Sequence, residues 1–308
     1  MRPKNTIALF ITAIIWGTAF VAQRQGMDYI GPLTFNAVRT LLAFICLVIF
    51  VFLRNKLIKR DKKETIALMS NRKYLYSGGI ACGVLLFTAS TLQQTGIVYT
   101  TAGKAGFITS FYIVLVPVAG VFLKKKTGIL VWIAVLLAFV GLYLLCITEK
   151  FTIQKGDFLI LICSVAFMFH ILTIDYCAPK VDEIMMSTIQ FGTSTVLSFA
   201  AMFLFEESTI AGVWSAIWPI IFVGIFSGGV GYTLQMVGQK NANPTISSLI
   251  MSLEACFAVL AGWLILHENL SGRELLGCVL MSVAIILAQL KLKTRKTITT
   301  TIDRSSIG

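Results

Sequence analysis

The chain has 308 residues, of which 57% are hydrophobic and only 13% are charged, and its mean hydropathy is +0.85. Soluble domains carry about 25% charged residues, so this composition excludes an ordinary water-soluble protein. The net charge of +12 is compatible with binding to nucleic acid, but the placement of the basic residues along the chain argues against that partner.

Ten apolar segments follow one another along the chain. A helix needs roughly 20 such residues to cross about 30 Å of hydrocarbon, and the sequence does not show the short alternating segments of a membrane β-barrel. We therefore predict an all-α integral membrane protein with ten transmembrane helices. These are segments 1 to 10, at residues 5–23, 32–53, 74–103, 105–123, 128–148, 156–176, 184–205, 208–239, 245–266 and 275–290.

Lysine and arginine are unevenly divided between the loops that connect these segments. With the N-terminus in the cytoplasm, 20 of them fall on the cytoplasmic side and five on the outside, while Arg39 lies within segment 2. This ratio follows the positive-inside rule. It predicts a multi-pass protein of the inner or plasma membrane with cytoplasmic N- and C-termini and a cytoplasmic tail at 293–308. The predicted partner is the lipid bilayer, and no nucleic acid is expected.

The sequence has few signs of catalysis or of cofactor binding. Its seven cysteines lie in or beside apolar segments and show no CxxC spacing, so neither disulfides nor a metal site are predicted. Ser271 stands where a zinc-binding HExxH motif beginning at His267 needs its second histidine. No phosphate-binding Walker loop is present. We therefore predict that the chain is not an enzyme, has no cofactor and does not use ATP.

One stretch of the first half is weakly repeated in the second. The Thr-Leu-Gln…Gly pattern of Thr91–Gly96 returns at Thr233–Gly238, 142 residues later, and the windows 91–120 and 233–262 share eight identities. Each half contains five segments, and an odd number of crossings turns the second copy upside down in the membrane. Inverted repeats of this kind are typical of secondary transporters.

The repeat divides the chain into two inverted five-helix units, at 5–148 and 156–292. An offset of 151 residues extends the alignment to the first segments of each half, where Trp16 matches Phe167 and Arg39 matches Gln190. Inversion also predicts that a cytoplasmic loop in one copy lies outside in the other. In agreement with that prediction, the three positive charges at 124–126 are absent from the matching Leu266-His267-Glu268. Glycine-rich stretches in segments 3 and 8 predict close helix packing there.

Several motifs give the chain a family resemblance. It resembles the drug/metabolite transporter superfamily, and in particular its ten-helix exporters built from two EamA repeats, over about residues 5–292. The resemblance implies export of small metabolites such as amino acids, or of toxic compounds, through a central cavity lined by segments 1, 3, 4, 6, 8 and 9. Lys126 departs from an acidic residue that is common in the family after segment 4. The motifs are Trp16–Phe20, Pro32–Arg39, Leu249–Glu254, Ala261–Trp263, His267-Glu268 and Gly277.

Ionisable residues within the segments are the first candidates for function, because a charge in hydrocarbon costs at least about 2.5–3.5 kcal/mol. Glu254 lies near the middle of segment 9 and is the best candidate for a group that binds a proton or a cation. Arg39 and Lys104 can attract an anionic group, and His170 can relay protons. The alternatives are a structural hydrogen bond for Glu254, a fixed pair or a snorkelling side chain for the two cations, and a buried, hydrogen-bonded histidine.

Polar and aromatic residues supply the remaining candidates. Gln93 and Gln235 occupy equivalent positions in the repeat, so together they can hold an amino or carboxyl group, unless they only join helices. Trp16 and Tyr112 can form aromatic walls, although membrane aromatics usually serve packing or the interface.

These observations predict a secondary active transporter that works by alternating access, either as a monomer or as a homodimer. We expect it to export small metabolites or drugs, driven by protons as coupling ion or by the gradient of the substrate itself. The alternative is a membrane-embedded lipid flippase or lipid-modifying enzyme.

Overall fold

The computed structural model describes residues 1–57, 71–100, 102–124, 128–146, 155–266, 271–273 and 275–288. The side chains at 103, 104, 145, 146 and 266 are not part of that description. The predictions for the tail at 293–308, for Lys126 and for His267 and Glu268 lie outside the described residues.

All the regular elements of the described residues are helical. We number them α1 to α10 after the ten segments, with α4 and α9 each in two parts. They are α1 (Pro3–Gly26), α2 (Pro32–Leu57), α3 (Arg72–Ile97), α4 (Ala102–Thr109 and Tyr112–Phe122), α5 (Ile129–Cys146), α6 (Lys155–Cys177), α7 (Glu183–Phe205), α8 (Ile217–Gln239), α9 (Pro244–Met251 and Glu254–Leu266) and α10 (Leu275–Ala288). A short helix at Ala178–Lys180 follows α6, and another at Ile210–Ser215 precedes α8.

Eight spans of the described chain are long and apolar enough to cross a membrane, and α5 and α10 contribute two shorter apolar helices. Large apolar side chains cover their outer surface, as expected for a protein solvated by lipid. Trp214, in the short helix before α8, and Trp218, at the start of α8, are 74% and 76% exposed, and tryptophan is enriched where a membrane protein meets the headgroups. The chain is therefore an all-helical membrane protein.

The helices α2 and α7 are antiparallel, and a carboxylate joins them at each end by hydrogen bonds or an ion pair. At one end, Glu206 accepts hydrogen bonds from the backbone amides of Leu33 (2.8 Å) and Thr34 (2.9 Å), and so caps the start of α2. At the other end, Asp182 caps α7 and pairs with Arg54 of α2, whose Nη1 lies 3.1 Å from the carboxylate. Each cap satisfies amides that a helix start leaves unpaired.

Glycines of α3 bring that helix against the second half of the chain. A Cβ added at Gly83 would lie 2.7 Å from the backbone oxygen of Gln190, and one added at Gly96 would lie 2.9 Å from that of Gly156. Real Cβ atoms essentially never come within 3.0 Å of another heavy atom. The predicted close packing of segment 3 is therefore confirmed, and its partners are α6 and α7.

Glycines of α8 make corresponding contacts with the first half. A Cβ added at Gly224 would lie 2.9 Å from the backbone oxygen of Arg39, and one added at Gly238 would lie 3.1 Å from that of Asn5. Asn5 also donates a side-chain hydrogen bond to Gly238 O at 2.9 Å. Segment 8 is thus closely packed as predicted, against α1 and α2.

The partners of the two helices match in the repeat. Arg39 and Asn5 precede Gln190 and Gly156 by 151 residues, which is the offset at which the sequence aligns the two halves. The corresponding glycines of α3 and α8 are 142 residues apart at one contact and 141 at the other. The stretch Phe222–Gly231 of α8 is a π-helix, and its wider turns accommodate the additional residue.

Both α4 and α9 are interrupted, where the sequence predicts single segments. α4 breaks at Ser110 and Phe111, and α9 breaks 142 residues later at Ser252 and Leu253. At each break, backbone amides bond to the carbonyl three residues back instead of four. The matching bonds are Phe111 N to Ile108 O and Leu253 N to Ile250 O, each 3.2 Å long.

Candidate functional site

The two interrupted helices border a cavity inside the helix bundle. Every helix that the family resemblance assigns to the cavity contributes to its wall, and α2 contributes Arg39 as well. Five of the eight residues predicted from sequence line it. The lining is Trp16, Phe20, Gln23, Arg39, Gln93, Thr109, Tyr112, Phe167, Ser227, Tyr232 and Glu254.

Glu254 is held in the cavity wall by the opposite interrupted helix. The hydroxyl of Tyr112 donates to Glu254 Oε1 at 2.9 Å, and that of Ser110 donates to the same oxygen at 3.2 Å. Ser110 lies in the break of α4 and Tyr112 directly follows it, while Glu254 begins the second part of α9. A negative charge is favoured at such a helix start, so the site can hold a carboxylate although only 3% of the residue is exposed.

Arg39 is the positively charged group of the cavity. Its Nε donates to Asn36 Oδ1 at 2.7 Å and its Nη1 to Gln23 Oε1 at 3.4 Å. Both partners are neutral, and the ion pairs of the described residues do not include Arg39. Of the two alternatives for this residue, the fixed ion pair is therefore not seen there. A buried guanidinium with neutral neighbours can attract an anionic group.

Aromatic rings form one wall of the cavity. The rings of Trp16 and Tyr232 are 4.7 Å apart, and Trp16 Nε1 donates to Ser227 O at 3.3 Å. Trp16 and Phe167, which match in the repeat, both line the cavity. Sequence reasoning missed Phe167 and Tyr232 as site residues. For Phe167 the alignment with Trp16 was the available signal, whereas Tyr232 resembles many other membrane aromatics.

The two equivalent glutamines have different surroundings. Gln93 lines the cavity and donates from Nε2 to Thr109 Oγ1 at 3.1 Å, joining α3 to α4. Gln235 is 1% exposed and lies outside the cavity lining, with an Oε1 that has no hydrogen bond in the described residues. The two side chains therefore do not form one binding pair in this conformation.

The last two predicted residues do not add to the cavity as described. His170 lies behind the wall, with Nε2 2.8 Å from Gln190 Oε1, which matches the alternative of a buried, hydrogen-bonded histidine. Lys104 belongs to the first part of α4, but its side chain lies outside the described residues. Within those residues, no three His, Cys, Asp or Glu side chains are grouped in a way that could hold a metal ion.

The cavity thus combines an anion-attracting group, a carboxylate, two amides and an aromatic wall between two similar halves. The model of the EamA-like transporter family matches residues 4–147 and 154–290 of the chain. The protein belongs to the EamA-like transporter family. The resemblance found in its motifs is confirmed, and two copies of the family domain cover almost the whole chain.

Related proteins give the same general picture. A protein of Archaeoglobus fulgidus described as an uncharacterized transporter is 30% identical over 92% of this chain and 85% of its own length. The uncharacterized inner membrane transporter YedA of Escherichia coli is 23% identical over 92% of this chain and 90% of its own length. One solved structure has a TM-score of 0.75 over 96% of this chain at 15% identity, which shows the fold alone. The EamA-family protein is thus a multi-pass membrane protein of a transporter family.

Proposed function

We propose that the protein is a secondary active transporter that exports small zwitterionic metabolites, such as amino acids, across the cell membrane. The observation that carries the proposal is that a basic residue, Arg39, and an acidic residue, Glu254, line one cavity. A zwitterion places a carboxylate against the guanidinium and an ammonium group against the carboxylate. The rings of Trp16, Phe167 and Tyr232 supply an apolar surface for the rest of the molecule.

The matched contacts support a ten-helix architecture of two inverted repeats, with units at 5–148 and 156–292. α1 and α3 run in the same direction, because α2 returns between them. Gly96 lies near the end of α3, whereas its equivalent Gly238 packs against the start of α1. The two equivalent contacts therefore lie at opposite ends of the helix bundle. A twofold axis in the membrane plane produces such an arrangement. The charge distribution then places both termini and the tail at 293–308 in the cytoplasm.

Alternating access accounts for a cavity that lies between two similar halves. In this conformation ion pairs join neighbouring helices at one end of the helix bundle: Lys240 Nζ lies 2.5 Å from Glu183 Oε1, and Arg54 pairs with Asp182. We propose that the Arg54–Asp182 pair, which joins the two halves, separates when the halves rearrange. Glu254, the carboxylate in the cavity, is the group through which a proton gradient can be coupled to export. Transport down the gradient of the substrate itself needs no such step.

A lipid flippase or lipid-modifying enzyme remains the second candidate. Either activity requires lateral access for lipid, and an enzyme also requires catalytic carboxylates grouped at one interface. Glu254 instead lies on α9, accepts a hydrogen bond from Tyr112 of α4, and shares the cavity with Arg39. This arrangement favours a small solute.

Solute counterflow in proteoliposomes tests the proposal. Vesicles loaded with one unlabelled amino acid at a time should accumulate the labelled form, with and without a pH step. Arg39→Gln and Glu254→Gln should each reduce the rate by about tenfold or more, because each removes one charged contact. Arg24→Gln, at an exposed ion pair with Asp28, is the control and should leave the rate unchanged. Lipid translocation without counterflow of any solute would contradict the proposal.

A further inference from the structure

A second group of buried polar side chains lies behind the cavity wall. We call it the inner cluster: His170 on α6, Gln190 on α7, and Gln235 and Gln239 on α8. None of the four is more than 1% exposed. Tyr232 separates the inner cluster from the cavity, since it lines the cavity while its ring lies 5.9 Å from that of His170.

Hydrogen bonds connect α7 and α8 to α6 at the inner cluster. His170 Nε2 lies 2.8 Å from Gln190 Oε1, and Gln239 Nε2 donates to the backbone oxygen of Ile171 at 3.5 Å. Gln235 and Gln239 are four residues apart, so they lie on the same face of α8 as Tyr232. The inner cluster therefore continues along α8 from the cavity wall towards the end of that helix.

Each member has one polar atom that makes no hydrogen bond with the described protein groups. These atoms are His170 Nδ1, Gln190 Nε2, Gln235 Oε1 and Gln239 Oε1. Most buried polar atoms in proteins have a partner, and leaving them unpaired destabilises the fold. Four such atoms in one place are explained by a polar occupant, either water or the polar groups of a solute.

The inner cluster ends next to the ion pairs at this end of the bundle. Lys240, which pairs with Glu183, directly follows Gln239 in the chain. From Tyr232 to Lys240 the helix rises about 12 Å, so cavity, cluster and ion pair follow one another along one side of α8. A solute that leaves the cavity along this side meets the inner cluster before it meets the ion pairs.

We propose that the inner cluster is the closed continuation of the transport pathway. When the ion pairs separate, the inner cluster opens to water and binds the neutral hydrogen-bonding groups of the passing solute. Its amides and imidazole offer both donors and acceptors for such groups. The inference rests on the proposed transport function, but the opening of the cluster can be measured without any substrate.

Chemical modification of His170 tests the inference. The chain has two histidines, so His267→Gln leaves His170 as the only histidine that diethyl pyrocarbonate can modify, followed by the absorbance of N-carbethoxyhistidine, in protein purified through a histidine-free tag. We expect slow carbethoxylation in this parent. Adding Asp182→Asn and Glu183→Gln should accelerate it by about tenfold through a larger open population. The asparagine retains the cap on α7, because Asn caps as well as Asp.

Two controls make the result decisive. Asp28→Asn removes the exposed Arg24–Asp28 pair and should leave the rate at that of the parent, and His170→Asn should abolish the signal. The inference is overturned if the folded ion-pair variant reacts no faster than the Asp28→Asn control. It is also overturned if His170 in the parent reacts as fast as free imidazole. Absence of counterflow alongside an accelerated reaction would instead refute the transport function.

Discussion

Tyr112 and Glu254 occupy equivalent positions in the two repeats, 142 residues apart, and are joined by a 2.9 Å hydrogen bond. Residues related by a twofold axis can touch one another only near that axis. In the proposed inverted arrangement, the bond therefore marks the centre of the fold, at the crossing of α4 and α9. It also places different chemistry on the two sides of the centre, a phenol on one and a carboxylate on the other.

This bond predicts a positioning role for Tyr112. Tyr112→Phe removes a donor to the carboxylate of Glu254, and hydrogen bonds to charged groups contribute about 1.5–3 kcal/mol. We expect the counterflow rate to fall by about tenfold, with a smaller decrease for Ser110→Ala, whose bond is longer at 3.2 Å. Tyr29→Phe, at an exposed site, is the matched control. A Tyr112→Phe protein with the rate of that control would show that the bond does not matter for transport.

Arg39 should bind the anionic group of the substrate. Arg39→Gln is expected to raise the KM for a carboxylate-bearing substrate by about tenfold, because a charged hydrogen bond is replaced by a neutral one. Arg39→Lys keeps the charge but loses the planar fork of donors, so it should give an intermediate KM. Initial rates of counterflow at several concentrations measure this. Equal KM values for the glutamine and wild-type proteins would exclude the role.

The cap that Glu206 provides to α2 should contribute to stability. Glu206→Gln is expected to reduce the free energy of unfolding by about 1–2 kcal/mol, as the loss of a helix cap does elsewhere. Glu207→Gln, at the exposed neighbouring position, is the control for charge. Both are measured as shifts in thermal unfolding in detergent. Equal shifts would mean that the cap adds no stability.

The cap provided by Glu206 also explains why residue 31 is a glycine. A Cβ at Gly31 would overlap the Glu206 carboxylate, so Gly31→Asp should destabilise the wild-type protein. In a Glu206→Ala background the same aspartate has room and can cap α2 locally, as Asp182 caps α7. We therefore expect Gly31→Asp to be less destabilising in that background. An unchanged or larger cost there would contradict this account.

Because the glycine contacts of α3 and α8 are equivalent, substitutions at the two sites should reduce stability by similar amounts. Gly83→Val and Gly224→Val each force a side chain against a backbone oxygen of the other half, and overpacking of this kind costs about 1–3 kcal/mol. The two unfolding temperatures should fall by similar amounts. Gly272→Val is the control, since a Cβ at Gly272 meets nothing within 4 Å. A loss confined to one of the two would argue against equivalent packing.

The sequence predicted the helical membrane class and the charged residues of the cavity for one reason. Charges are rare in apolar segments, so Arg39 and Glu254 stood out without any structure. The repeat offsets then anticipated which residues would match, as the pairs Trp16 with Phe167 and Tyr112 with Glu254 show. The direction of transport and the inverted arrangement stay predictions.

The breaks in α4 and α9 could not be predicted, because nothing in their local chemistry interrupts a helix. Ser110-Phe111 and Ser252-Leu253 contain neither glycine nor proline. The break in α4 instead accompanies contacts across the bundle, in which Ser110 reaches Glu254. The π-helix of α8 could not be predicted from the sequence either. Its glycines predicted close packing but not the wider turn that accommodates the extra residue.

The most direct measurement of the central claim combines a cavity variant with altered substrates. Counterflow is compared for a transported amino acid, its methyl ester, which lacks the carboxylate, and its deaminated acid, which lacks the ammonium group. In the wild-type protein both analogues should compete at least about tenfold more weakly, since each loses one charged contact. Arg39→Gln should abolish the penalty for the ester only, and Glu254→Gln the penalty for the acid only. Unchanged penalties in both variants would contradict the assignment of Arg39 and Glu254 as the zwitterion site.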